Sequence, residues 1–358
     1  MVDKEKIIAL DGLRGWMAVW VWVTHVVTMA TLPLVKTSGL GMVLANGQYA
    51  VGVFILLSGF VISNTATRSS WSKFILRRFF RLFPAYLICL LLSVLILDIS
   101  IQFLTNAPWP MERAADRVKY LTDSKDYFWP HLSLHVLLLH GLVPDSILPS
   151  TSYAFMGQAW SLTLEWQYYL IAVLFLKLIS MTRNNILLEC LAILTLALIS
   201  LKLNQSSFIA SNLWLFLIGH LFWKHFDDRQ TWRYPLWILA ALPAGLKVLS
   251  ILIFMVVILA CFKNWRINRF LETGVSRFLG RVSYGFYCIH MVSIFTIAYT
   301  LLFVFNITDR VIFASALIAL SLVMSLLIAW ILNILVENPM IALGRKLTSS
   351  KPKLAKAV

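Results

Sequence analysis

Charge is scarce in this chain. Only 13% of its 358 residues are Asp, Glu, Lys or Arg, against about 25% in a soluble domain. With 60% hydrophobic residues and a mean hydropathy of +0.81, that scarcity excludes a soluble globule and points to a polytopic membrane protein. Acidic residues are the scarcer sign, 16 against 31 basic ones, which leaves a net charge of +15. A nucleic-acid surface is excluded, because the basic residues cluster in loops between apolar stretches, where membrane topology explains them. Cysteine is also sparse. Cys89, Cys190, Cys261 and Cys288 lie in or beside apolar stretches and form no CxxC pair, so they read as packed thiols rather than a disulfide framework or a zinc site. There is no internal repeat, no low-complexity tract and no HExxH motif. The first apolar segment is too long and too charged for a cleavable signal peptide, and no small-residue cleavage site follows it.

The remainder is apolar spans. Hydropathy suggests ten: about 12–32, 46–64, 82–104, 154–176, 185–203, 208–224, 234–246, 247–262, 283–304 and 311–336. The stretch 234–262 is long for one span and short for two. Leu242-Pro243-Ala244-Gly245 in its middle reads as a turn or helix break. The distribution of basic residues decides for two spans. It then gathers Lys4, Lys6 and Arg14, the loops around Arg68–Arg81, Lys177–Arg183, Lys224–Arg233 and Lys263–Arg281, and the tail from Arg345 on one side. The expectation is an all-α polytopic membrane protein with about ten transmembrane helices and both termini cytoplasmic. The loop 105–153, rich in Pro, Trp and His, is the sizeable extracytoplasmic one and is expected to fold over the outer mouth of the bundle.

Ionisable residues inside such spans cost about 2.5–3.5 kcal/mol each to insert, so those that persist face a protein interior or a wet cavity. The first span carries Asp11, Arg14 and His25. Asp11 and Arg14 form an i,i+3 pair. Arg14 and His25 stand eleven residues apart, close to three turns, so they share a helix face roughly 16 Å apart along the axis. Either this is a cation and a base arranged for catalysis, or it is a snorkelling Arg and a packed His. The second span ends in Ser58-Gly59, which serves either close helix packing or a backbone opening beside a ligand. Arg78 and Arg81, at the cytoplasmic entry of the third span, share a helix face. They are either topological anchors or a phosphate site, since the planar guanidinium binds oxygens bidentately. The fourth span opens with Trp160 and Ser161 and then carries Glu165, with Tyr168 and Tyr169 one turn on. Entering from the outer face, Glu165 is expected to approach His25. The ninth span carries Ser283, Tyr284 and His290, the last about two turns from its cytoplasmic end and either structural or functional. The tenth closes with Glu337-Asn338-Pro339. There Pro339 is expected to end the helix and Glu337 to pair with a cytoplasmic Arg. His131 and His135 in the outer loop have i,i+4 spacing that suits zinc on a helix. With His140 the only other histidine in the loop and no evident third ligand, acceptor contact or packing is the stronger reading, and no metal is expected.

In order and spacing these residues resemble the membrane-bound acyltransferase-3 family over nearly the whole chain. The family's Arg-x10-His pattern matches Arg14 and His25, within an Asp-Gly-Leu-Arg-Gly opening at 11–15. Its Phe-Phe-x-x-Ser-Gly pattern matches Phe54, Ser58 and Gly59, with Ile55 replacing the second Phe. Its Arg-x-x-Arg pattern matches Arg78 and Arg81, and Trp-Ser-Leu-x-x-Glu matches Trp160 to Glu165. The late Ser-Tyr, His and Glu-x-Pro positions match Ser283, Tyr284, His290, Glu337 and Pro339. The resemblance implies one transmembrane acyltransferase domain over 1–345 with a basic cytoplasmic tail at 346–358, like the members without an added esterase domain. It implies transfer of an acyl group, usually acetyl, from cytoplasmic acyl-CoA to a carbohydrate hydroxyl across a bacterial cytoplasmic (inner) membrane, with no permanently bound cofactor. Arg14, Arg78 and Arg81 would hold the CoA phosphates, with Asp11 orienting Arg14. His25 would be general base or transient acyl carrier, and Glu165 would position the acceptor. Ser58, Gly59, Trp160, Ser161, Tyr284, His290 and Glu337 would support them. The alternative is a secondary transporter of a sugar or acyl-sugar, although the paired repeat halves of many transporters are not evident.

Overall fold

A computed structural model describes residues 8–30, 39–181, 184–203, 205–226, 230–263 and 265–349. Lys4, Lys6, Arg183, Arg229 and the tail from residue 350 lie outside the described residues. Every regular element described is helical: α1 Ile8–Met29, α2 Gly39–Leu44, α3 Gln48–Arg68, α4 Trp71–Leu95, α5 Leu97–Asn106, α6 Ala114–Asp126, α7 Phe128–Val136, α8 Trp160–Ser180, α9 Ile186–Leu201, α10 Leu213–Lys224, α11 Arg233–Ala241, α12 Val248–Lys263, α13 Arg266–Leu271, α14 Gly274–Tyr299, α15 Arg310–Leu332 and α16 Asn338–Thr348. Five helical stretches among them are long and apolar enough to cross a membrane: 48–66, 71–95, 157–180, 274–304 and 310–348. At 22 residues α1 matches them in length and carries Asp11, Arg14 and His25. Helices α9, α10 and α12 are apolar and shorter.

The stretch 234–262 breaks where its turn chemistry says it should. Helix α11 gives way to a tight 3-10 segment at Leu242–Lys247, in which Gly245 takes φ +69°, and α12 follows. Three other boundaries differ from the hydropathy reading. Helix α4 starts at Trp71, so Arg77, Arg78 and Arg81 lie within a helix rather than in a loop before it. Helix α14 starts at Gly274 because the Thr273 side chain caps it, accepting from the Ser276 N–H. His290 therefore stands about four turns in, not two. The helical path also runs through Pro339. A π turn at Asn333–Glu337 closes α15, and Pro339 falls in the first turn of α16, where an intrahelical N–H is not needed.

Backbone contact between α1 and α14 organises the bundle. A Cβ on Gly15 would stand 2.6 Å from the Gly280 nitrogen, and one on Gly280 would stand 2.5 Å from the Asp11 carbonyl oxygen. Only small residues allow so close a crossing. Trp16 locks it by donating its indole N–H to Ser276 Oγ on α14 (3.0 Å), and Trp22 ties α1 to α15 by donating to Ser321 Oγ (3.3 Å).

The segment 105–153 is mostly helical and packs on the bundle through α5 and α6. His131, His135 and His140 are all buried in it. The rings of His135 and His140 stack in parallel at 3.8 Å, so their in-plane lone pairs do not converge on one point. No metal-binding group of three or more His, Cys, Asp or Glu occurs among the described residues. Tyr86 ties this layer to α4 by donating to the His135 carbonyl (2.9 Å). Burial holds the His135 imidazole well below its usual range and pushes His140 down to about 3.

Two outcomes are expected. Gly280→Val should lower thermal stability in detergent by roughly 1–3 kcal/mol through overpacking, whereas Gly274→Ala, whose added Cβ meets nothing, should stay within about 0.5 kcal/mol. The buried histidines bind protons more readily in the unfolded chain. Their contribution is therefore complete above about pH 6.5 and is lost as the pH falls toward the folded values. Melting followed from pH 8 to pH 4 should show that loss, and His140→Phe should flatten it; an unchanged slope would contradict the assignment.

Candidate active site

Close packing of α1 on α14 determines what Arg14 can reach. Its Nε donates to Ser283 Oγ (2.9 Å) and its Nη2 to the Gly280 carbonyl (3.2 Å), both on α14. Asp11 lies farther away, at 3.6 Å, and is largely exposed. Arg14 is thus oriented by α14 at least as much as by Asp11.

Arg14 opens onto a cavity of about 920 Å³, its mouth included. The walls bring together Arg14 and Asp11 of α1, Ser58 of α3, Arg78 and Arg81 of α4, Glu165 and Tyr169 of α8, and Tyr284 of α14. Three guanidiniums face two carboxylates, so the cavity keeps excess positive charge. Arg78 is buried; its Nη2 donates to Thr65 Oγ1 (2.8 Å), and its guanidinium lies over the rings of Phe74 (5.4 Å) and Tyr169 (5.3 Å). Aromatic faces support a cation without neutralising it, which leaves charge available to a ligand. Glu165 Oε1 accepts from Ser58 Oγ (3.0 Å) and from the Tyr169 hydroxyl. Neighbours on α3 divide their work: Ser58 lines the cavity, while Gly59 backs onto α10, where an added Cβ would meet the Phe216 carbonyl. Tyr284 donates to the Leu82 carbonyl (2.6 Å), fixing α14 to α4 at the same wall.

His25 stands apart from this cavity. Its ring stacks on that of His290, centroids 5.3 Å apart, and its Nδ1 lies 3.3 Å from Nη2 of Arg117 on α6. Arginine can only donate, so His25 Nδ1 is the acceptor and its proton sits on Nε2. His290 has the opposite tautomer, since its Nδ1 donates to the Tyr287 carbonyl (2.7 Å). Its buried Nε2 has no partner among the described residues. Burial and then the neighbouring Arg113 lower the Arg117 pKa to about 10, which leaves it cationic at neutral pH. A polar seam links the two regions: Ser161 Oγ lies 2.7 Å from the Tyr287 hydroxyl, which donates to the Gln158 carbonyl (2.9 Å).

The structure thus gathers Arg14, Arg78, Arg81, Ser58, Ser161, Glu165 and Tyr284 around one cavity, and His25 with His290 beyond it. Glu165 is not brought to His25; it belongs with the arginines. Trp160 is buried at the start of α8, outside the cavity lining. Glu337 forms no Arg ion pair among the described residues. It is buried in the π turn beneath Gly285, and its Oε2 accepts from Asn333 Nδ2 (3.3 Å). Arg117 and Gln158 escaped the sequence reading. Arg117 is one basic residue in a polar loop, and nothing in its local sequence points toward α1.

A family model described as an acyltransferase domain matches residues 7–256. The chain belongs to the acyltransferase-3 family. An acyltransferase, MdmB of Streptomyces mycarofaciens, is 27% identical over 212 residues. That alignment covers 58% of this acyltransferase-3 chain and 48% of the relative, so it spans about half of the curated protein's length. No solved structure is matched. Ser283, Tyr284, His290 and Glu337 lie beyond the family match. Ser283, Tyr284 and His290 nonetheless sit on α14, which meets Arg14 and His25 and lines the cavity, and Glu337 lies in the π turn against Gly285 of the same helix.

Proposed function

We propose that this acyltransferase-3 protein is an integral membrane O-acyltransferase. It moves an acyl group, acetyl in the first instance, from cytoplasmic acyl-CoA to a hydroxyl of an extracytoplasmic carbohydrate or glycoconjugate at a bacterial cytoplasmic (inner) membrane. The observation that carries the reading is an arginine cavity and a stacked histidine pair joined through α1, which supplies Arg14 to the first and His25 to the second. In this reading the chain crosses the membrane ten times with both termini cytoplasmic, and the helix break at 242–247 supports two short crossings there.

Arg14, Arg78 and Arg81 bind the CoA phosphates, for which a fork of donors held on aromatic faces is well suited. Glu165 acts on the donor side, keeping Ser58 and Tyr169 oriented and balancing part of the arginine charge. The pantetheine arm follows α1, along which Arg14 and His25 are roughly 16 Å apart. The acceptor oxygen forms its bond to the thioester carbon as the C–S bond breaks. His25 takes the hydroxyl proton and returns it to the departing thiolate. In a two-step variant His25 carries the acyl group between donor and acceptor. The chemistry assigns no step to a metal or resident cofactor.

The test is release of free CoA thiol from acetyl-CoA by the purified protein. Wild type should release thiol, and His25→Ala should be slower by about 10²–10⁴-fold. Equal rates would remove His25 from the chemistry. Sugar uptake into vesicles with no thiol release would replace acyl transfer by transport.

A further inference from the structure

A second cavity, about 490 Å³ with its mouth included, lies between α5, α6, α14 and the segment before α8. Arg117, in its wall, reaches His25 at the other end of the Arg14–His25 stretch. We infer that this cavity receives the acceptor as a polyhydroxylated sugar ring, with Arg117 and Gln158 reading its hydroxyls. The inference rests on the acyl transfer proposed above and adds where the acceptor binds and what it must offer.

Three features of the wall carry it. Arg117 supplies a fork of donors and forms no ion pair among the described residues, so its charge is not already spent on a carboxylate. Gln158 is 3% exposed; its Nε2 donates to the Cys288 carbonyl (2.8 Å), but its buried Oε1 has no partner. Such an atom is costly unless something donates to it. Tyr120 and Tyr153, both in the wall, stack with centroids 5.0 Å apart and rings 24° from parallel. A donor fork with one bond to His25 and no carboxylate ion pair among the described residues, an orphan acceptor and aromatic surface together match a sugar, whose hydroxyls both give and take hydrogen bonds and whose C–H faces are apolar.

The tautomer of His25 sets the direction of approach. Its lone pair is on Nδ1 and points at Arg117, hence toward this cavity. An acceptor hydroxyl that takes the place of Arg117 on Nδ1 gives its proton to that nitrogen. Its oxygen then bonds to the acyl carbon, the C–S bond breaks, and the thiolate leaves with the proton returned by His25. The displaced guanidinium remains beside the sugar and holds a neighbouring hydroxyl oxygen.

Gly157 provides the test. It lines the cavity, and a Cβ added there meets nothing within 4 Å, so Gly157→Phe fills the space without colliding with the wall at its first atom. The full-length protein is assayed with acetyl-CoA and a set of methyl hexopyranosides, reading both thiol release and acetylated glycoside by mass spectrometry. For a glycoside that wild type acetylates, Gly157→Phe should raise the glycoside KM by about tenfold or more and leave the acetyl-CoA KM unchanged. If Gly157→Phe does not fold, Gly157→Leu and Tyr120→Ala carry the same expectation. An unchanged glycoside KM in folded variants would overturn the cavity assignment. Thiol release by wild type with no glycoside acetylated would overturn the sugar as acceptor. Absence of thiol release by wild type would overturn acyl transfer itself, a failure separate from the other two.

Discussion

The backbone contact between α1 and α14 is the constraint on which the remaining structure depends. Gly15 and Gly280 let two helices approach with no side chain between them. A gap of even one methyl group there would carry Arg14 away from Ser283 and the Gly280 carbonyl, and His25 away from His290. In an apolar medium, helices gain little from hydrophobic exclusion and rely on close packing and interhelical hydrogen bonds. The indole–hydroxyl bond of Trp16 to Ser276 supplies the second of these along the same seam, and that of Trp22 to Ser321 extends it to α15. One interface therefore positions both the arginine that opens the first cavity and the histidine that Arg117 reaches from the wall of the second.

The bundle tolerates its buried charges by giving each a defined partner. Arg78 rests between two rings and a threonine hydroxyl. Glu165 accepts from Ser58 and Tyr169. Away from the cavities, the buried Glu189 gathers Arg233 (2.8 Å), His225 (3.1 Å) and the Trp237 indole (3.2 Å), tying α9 to α11 and the end of α10. That group holds short helices together, and Arg233, which looks like a loop anchor in the sequence, is recruited into it. Arg117 differs from these. Its guanidinium meets the His25 ring nitrogen and lines the second cavity.

Much of this was legible in the chain. Scarce charge and long apolar runs indicated a helical membrane protein, and five long apolar helices are present. Pro243 and Gly245 marked the break within 234–262 because their backbone preferences act locally. Spacing placed Arg78 and Arg81 on one helix face, the family resemblance joined Arg14 to them, and the structure lines one cavity with all three. What remained hidden was relative placement between distant segments. The fourth-span Glu165 was expected near His25, but its depth on α8 sets it among the arginines. Pro339 was expected to stop a helix, and the π turn before it lets the path continue. Arg117 and Gln158 carry no local periodicity or motif; Arg117 reaches His25 only through the fold of the 105–153 segment, and Gln158 meets α14 through the turn before α8.

The most direct measurement is a structure of the protein bound to a thioether analogue of acetyl-CoA, which cannot release its acyl group. The account predicts the analogue's phosphates on Arg14, Arg78 and Arg81, with its arm along α1 and its thioether beside His25. An analogue bound outside the arginine cavity, or bound there with its tip directed away from His25, would contradict the account.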